Sequence, residues 1–193
     1  MGRYLGPKNK VSRAFGDRVF GYSKVLQRRK KRPGQHCDKP LKRTEYGQLE
    51  SSKKKILYVY GIRERQLSNM VFKAARRKEN TEDVVSRMLE TRLDSVVYRL
   101  GLAGSRKKAR QMVSHKFISV NDKVVNVASY SVKKGDIIKC RDNECVRTDV
   151  KRNNCTWLEW DDVANVGRIM EMPALKDVSR KLNVDSVVEF YSR

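Results

Sequence analysis

The chain has 193 residues, with 44 lysines and arginines against 22 aspartates and glutamates, a formal net charge of +22. That length accommodates one ordinary domain or two small ones and excludes a large catalytic module with appendages, while charge of one sign opposes compaction until a polyanion neutralises it. A membrane surface is the weaker candidate, because no apolar run is long enough to cross a bilayer and the basic stretches lack the Trp, Phe and Leu face of an interfacial helix.

The charge is unevenly spread. Residues 1–60 carry 17 basic and 4 acidic side chains, 61–100 carry 9 and 6, 101–150 carry 11 and 5, and 151–193 carry 7 and 7. An anionic partner is therefore expected at the first third and the middle of the chain, with ordinary protein surface or core at the end. The amino terminus has no apolar signal core, and Gly6 stands where a myristoylation signal needs Ser or Thr, so the chain reads as a soluble protein of a reducing compartment. Cys37, Cys140, Cys145 and Cys155 form no CxxC pair, and even with His36 two ligands of a local knuckle are missing. Free thiols, no metal site and no cofactor are the expectation.

In chain order, the first 45 residues combine Gly2, Gly6, Pro7, Gly16, Gly21, Pro33, Gly34 and Pro40 with isolated Tyr4, Phe15, Phe20 and Tyr22 and a basic run from Arg28 to Arg32. So little apolar surface predicts a flexible extension that orders on its partner, its aromatics stacking on bases or docking on a folded RNA. From Glu64 the period turns helical: Leu67, Met70, Val71, Ala74 and Ala75 make one stripe, and Lys73, Arg76, Arg77 and Lys78 load the end where the macrodipole favours cations. Thr81 is the expected cap of the next helix, with Glu82 and Asp83 in its first turn and Val84, Val85, Met88 and Leu89 behind them. Leu89, Leu93, Val96, Val97 and Leu100 then continue a helical period to Gly101, which places Arg92 and Arg99, two turns apart, on one line of that helix.

Ser105 reads as the cap of a further helix to about Lys116, with Ala109, Met112 and Val113 inward and Arg106, Lys107, Arg110, Gln111 and Ser114 on the opposite side. Replacing Arg106 and Arg110 by Ala is therefore expected to leave the fold standing, whereas Met112→Ala should open a cavity. After Phe117 the period becomes two. Ile118 and Val120, an Asn121-Asp122 turn, and Val124, Val125 and Val127 predict a hairpin; Val132, a Lys134-Gly135-Asp136 turn and Ile137-Ile138 predict further strand. Strand is expected to continue through Cys145 to Val150 and around Trp157. Beyond Val163, Pro173 separates an irregular stretch from a short helix near Val178 to Leu182 and a last apolar segment at Val187, Val188 and Phe190. No internal repeat is visible.

The segments RLDSVVYRLG (from Arg92), SRKKARQMVSHKFISVN (from Ser105) and SYSVKKGD (from Ser129) resemble the S-four-type RNA-binding domain. The physics suits that use: a capped helix offers free amides and partial positive charge at its amino end, and Arg106, Lys107, Lys108 and Arg110 sit in the first turns, where phosphates would dock. Arg92 and Arg99 would extend the patch. Gln111, His115 and Lys116 would add polar contacts fit for reading the shape of a folded RNA.

MGRYLGPKNKVSRAFG at the start, PGQH, KRTEYGQLE, YGIRERQLSNMVFKAA, WLEW and the closing VVEFYSR carry the resemblance to the small-subunit ribosomal protein S-four family over nearly the whole chain. It implies an α+β fold: a basic extension at 1–43, a helical domain at 44–91 completed by a C-terminal arm at 160–193, and between them, at 92–159, a small α/antiparallel-β RNA-binding domain. It implies a non-catalytic constituent of the small ribosomal subunit, binding small-subunit rRNA at a junction of its 5′ domain early in assembly and contributing to translational accuracy. The implied protein neighbour is S-five; no membrane and no small-molecule substrate are expected, and the location is a ribosome in the bacterial cytoplasm or an organelle's matrix or stroma. Arg3, Lys8, Arg13, Arg28, Arg29, Lys30, Lys31, Arg32 and His36 join Arg92, Arg99, Ser105, Arg106, Lys107, Lys108, Arg110, Gln111, His115 and Lys116 as the expected RNA contacts. Only Cys37 remains where some branches of the family carry a four-cysteine zinc knuckle, so the chain resembles the zinc-free branch, and the family-like start at Met1 leads us to expect no cleaved presequence. An RNA-modifying enzyme fragment is the first alternative, but no GxGxxG, P-loop or paired-carboxylate arrangement appears. A stand-alone ribosome-associated RNA-binding protein is the second, and stoichiometry on the small subunit separates it.

Overall fold

The computed structural model of the chain describes residues 4–21, 23–39, 42–141, 155–161, 164–174 and 182–192. Along the described residues the elements are α1 (Lys8–Phe15), α2 (Lys24–Arg28), α3 (Glu45–Tyr60), α4 (Glu64–Ala75), α5 (Thr81–Glu90), α6 (Leu93–Arg99), α7 (Arg106–Ser114), β1 (Ile118–Val120), β2 (Lys123–Val124), β3 (Ile137–Cys140), β4 (Leu158–Asp161), β5 (Val166–Ile169) and α8 (Val184–Ser192). This is the expected α+β class. Two units form, residues 1–76 with 181–193 and residues 77–180. No helix among the described residues is long and apolar enough to cross a membrane.

In the first unit α3 starts at Thr44, whose hydroxyl accepts the Gly47 amide at 3.2 Å, and stops at Gly61 in the left-handed region (φ 62°). Thr44 thus satisfies one amide that the first turn would leave without a partner. Leu67, Val71 and Ala74 of α4 are buried as their period predicts, with Met70 half-buried and Ala75 exposed at the edge of the stripe. The last apolar segment of the sequence lies in α8, which packs on α3 and α4 through Tyr46 against Phe190 (5.6 Å between ring centroids) and Phe72 against Tyr191 (6.3 Å). Lys53 is buried beneath α8, its ammonium 4.0 Å from the centre of the Phe190 ring and bonded to Glu64. The amino-terminal segment forms α1 and sets Tyr4, Phe15 and Phe20 around Tyr58 at 5.0, 6.0 and 5.9 Å, with Asp17 2.8 Å from Lys55. Three of its four aromatics therefore have a protein partner, and Tyr22 lies outside the described residues.

In the second unit the helix expected through Leu89 to Leu100 is two helices. The break falls at Thr91 and Arg92, where Arg92 is extended (φ −65°, ψ 136°). Here the backbone turns to residues 128–132: the Leu93 amide donates to the Tyr130 carbonyl at 2.8 Å, and the Val132 amide to the Thr91 carbonyl at 3.0 Å. Leu89, Leu93, Val96 and Val97 are nonetheless fully buried, because the period runs in phase across the break. Asn80, not Thr81, caps α5, its side-chain oxygen accepting the Glu82 amide at 3.2 Å.

The five strands are antiparallel in the order β2-β1-β3-β5-β4. Asn121 and Asp122 both take positive φ (50° and 62°), as a two-residue hairpin turn requires, so the predicted hairpin forms. Asn121 fixes the neighbouring strand as well, accepting the Ile137 amide at 2.9 Å and donating to Asp136 at 2.8 Å. The sequence reading missed β5. A Cβ on its Gly167 would stand 2.7 Å from Leu100, so the strand needs a residue of low strand preference to reach the core.

By packing, the two units divide after residue 76 and after residue 180. Glu90 of α5 is bonded to Arg99 of α6, and β5 pairs with β3, which places both in the second unit. Strand from Cys145 to Val150 and a helix beginning near Val178 were expected on residues outside those described. Cys37 is a free thiol, whereas Cys140 is disulfide-bonded, a departure from the expectation of free thiols throughout.

Candidate nucleic-acid interface

Helix α7 is built as its sequence dictates. The Ser105 hydroxyl accepts the Lys108 amide at 3.2 Å, and Ala109, Met112 and Val113 are buried against the sheet core. Lys108, Gln111, His115 and Lys116 are exposed, and Ser105, Lys107 and Arg110 are half-buried. At the carboxy end the Ser114 hydroxyl donates to the Arg110 carbonyl at 2.9 Å, and the His115 ring stacks on Phe117 with centroids 6.1 Å apart. The outer face thus presents cations and amide or imidazole groups over about two turns, with the amino end of the helix capped.

The arginines that precede α7 are placed otherwise than expected. Arg92 is 2% exposed and donates twice to Asp94, at 3.0 and 2.8 Å, so it does not extend the patch. Its remaining terminal nitrogen is buried without a hydrogen-bond partner. Arg99 donates twice to Glu90, at 3.0 and 2.7 Å, and Glu90 is fully buried. Arg92 is the extended residue that leads into α6 and Arg99 is its last residue, and each is turned onto a carboxylate rather than along one outward line.

Arg106 was expected on the exposed side. Its side chain is 18% exposed, lies 4.7 Å over the Tyr98 ring and comes within 3.6 Å of Glu90. Replacing it by Ala removes packing as well as charge, which corrects the expectation of an unaffected fold. Glu90 and Tyr98 were not singled out in the sequence. The one available signal was that Glu90 stands three and seven residues before Leu93 and Val97, on the buried side of the period.

A second basic surface belongs to the first unit. Lys8, Arg28, Arg29, Lys30 and His36 are exposed, and Lys31 is exposed while pairing with Asp38 at 2.7 Å. That hydrogen bond, with a lesser one from Cys37, holds the Asp38 carboxyl below its ordinary pKa. Arg13 is half-buried and donates to the carbonyls of Lys31 (2.8 Å) and Arg32 (3.3 Å), and Arg32 donates to the Lys39 carbonyl. Arg13 and Arg32 thus hold the basic loop in shape with their guanidinium groups. Arg3 lies outside the described residues. Among the described residues no group of three or more His, Cys, Asp or Glu is placed to hold a metal ion.

Residues 3–90 match the family described as ribosomal protein S4/S9 N-terminal domain, and residues 91–138 match the S4 domain. The small ribosomal subunit protein uS4 of Amoebophilus asiaticus is 43% identical over 200 residues, covering all of both chains. Those of Phocaeicola vulgatus and Bacteroides fragilis are 40% identical over 201 residues, again end to end. Two successive family matches and full-length relatives of this similarity show that the chain belongs to the uS4 family of small-ribosomal-subunit proteins.

Proposed function

We propose that this chain is a structural, non-catalytic constituent of the small ribosomal subunit that binds small-subunit rRNA directly, at a junction in the 5′ domain, early in assembly. The observation that carries the reading is the outer face of α7, where Lys108, Gln111, His115 and Lys116 stand exposed on a helix whose other side is anchored in the core by Ala109, Met112 and Val113. Cations on a rigid, capped helix meet phosphate without first being ordered, and the polar groups between them suit recognition of RNA shape. Lys107 and Arg110 border that face, and Lys8, Arg28, Arg29, Lys30, Lys31 and His36 supply a second basic surface on the other unit. Contribution to translational accuracy and contact with a neighbouring small-subunit protein, S-five by the family resemblance, complete the reading, and the chain is found where its ribosome is.

Chemical footprinting of naked small-subunit rRNA with the purified full-length chain tests this. Protection clustered at one helical junction of the 5′ domain is the expected result. Uniform weak protection, or none without other ribosomal proteins present, overturns direct binding.

A further inference from the structure

The three charged side chains gathered between α5 and α7 raise a question that the outer face of α7 does not. Glu90 is fully buried, and a buried carboxylate without partners carries a desolvation penalty large enough to neutralise it or unfold its surroundings. Arg99 satisfies it with two parallel bonds. Arg106 comes from the first residue of α7 and lies 3.6 Å from the same oxygen, within ion-pair range and beyond a good hydrogen bond. Its orientation is set from a second direction, by the Tyr98 ring 4.7 Å away. A guanidinium held between a buried anion and an aromatic face gives up both contacts if it swings out to a phosphate. Two residues on in the same turn, by contrast, Lys108 is exposed.

Building on the rRNA-binding reading above, we propose that Glu90 is the positioning residue of the α7 surface. Its buried carboxylate holds Arg106 on Tyr98 and so fixes the first turn of α7, from which Lys108 meets phosphate, while Arg99 and Arg106 are engaged inside the protein and make no phosphate contact.

Salt dependence separates the two kinds of arginine and lysine, since each phosphate neutralised contributes roughly 0.7 to 0.9 to the slope of log K against log salt. Binding of the full-length chain to small-subunit rRNA would be measured over a salt series for the wild type, Lys108→Ala, Arg106→Ala, Glu90→Gln and the double variants. Lys108→Ala is expected to lower the slope by about that one-phosphate step. Arg106→Ala and Glu90→Gln are each expected to weaken binding roughly tenfold at fixed salt with the slope unchanged. The Glu90→Gln and Arg106→Ala losses should overlap in the double variant, whereas Glu90→Gln and Lys108→Ala should add. A one-phosphate drop in slope for Arg106→Ala overturns the proposal, as does simple additivity of Glu90→Gln with Arg106→Ala. If Glu90→Gln does not fold, the slope of Arg106→Ala alone decides. A wild-type chain that fails to bind the rRNA at all would instead overturn the functional reading on which this one rests.

Discussion

The run from Arg28 to Arg32 and the stretch from Glu90 to Arg106 are both rich in arginine, and they use it in opposite ways. In the first, Arg28, Arg29 and Lys30 face water, and the backbone beneath them is shaped by guanidinium bonds to carbonyls. In the second, Arg92, Arg99 and Arg106 are turned inward onto the carboxylates of Asp94 and Glu90. The difference comes from what surrounds them. Leu89, Leu93, Val96 and Val97 make the second stretch a low-dielectric interior, where a cation persists only with an anion beside it. No such stripe exists around Arg28 to Arg32. Formal charge therefore overstates the charge available to a polyanion, and burial decides which residues count.

Removing an inner partner should have the largest effect. Arg92→Ala leaves Asp94 buried and uncompensated, and we expect a loss of about 3 to 5 kcal/mol in unfolding free energy by chemical denaturation, the cost typical of breaking a buried pair. A loss under about 1 kcal/mol, the range of exposed pairs, would erase the contrast between the two regions. Arg28→Ala with Arg29→Ala should do the reverse: an unchanged melting temperature, and a salt slope for rRNA binding lower by roughly 1.4 to 1.8 if both meet phosphate. A destabilised double variant would show that the loop's side chains carry structure.

Lys31→Ala sharpens the comparison at its weakest point. Both members of the Lys31–Asp38 pair are about 70% exposed, at 72% and 70%, so solvent screening leaves little to lose and no resolvable change in melting is expected. The depressed pKa of Asp38 means that any stabilisation is present above its unfolded pKa and fades as pH falls through the folded value. In Lys31→Ala the Asp38 carboxyl, followed by NMR titration, should rise toward the ordinary carboxylate range. An unmoved titration would identify Cys37 as the partner that matters.

Helices whose stripe is self-contained were legible in the sequence. Leu67, Val71 and Ala74, and Ala109, Met112 and Val113, needed only their own spacing and a cap. The break between α5 and α6 was not legible, because the apolar period passes through Thr91 and Arg92 undisturbed while the interruption is imposed by backbone bonds from residues 128–132. Strand β5 was hidden by Gly167, a residue that argues against strand until Leu100 is known to stand against it. At the candidate site, the outer residues of α7 followed from the wheel. The inward turn of Arg92, Arg99 and Arg106 did not, because a helical wheel sorts positions and does not show that a long side chain can reach back under its own helix.

The bond between Thr91 and Ser131 spans 40 residues of chain. A ribosome making this protein must therefore extrude the whole of α7 and the first hairpin before the junction of α5 and α6 can close. Until then Arg92 and Asp94 lack the backbone of residues 128–132 beside them, so this buried ion pair settles only well after its own segment has been made. Truncations that end before residue 128 should accordingly be caught by proteases at Thr91 and Arg92, even though each flanking segment has a strong helical period of its own.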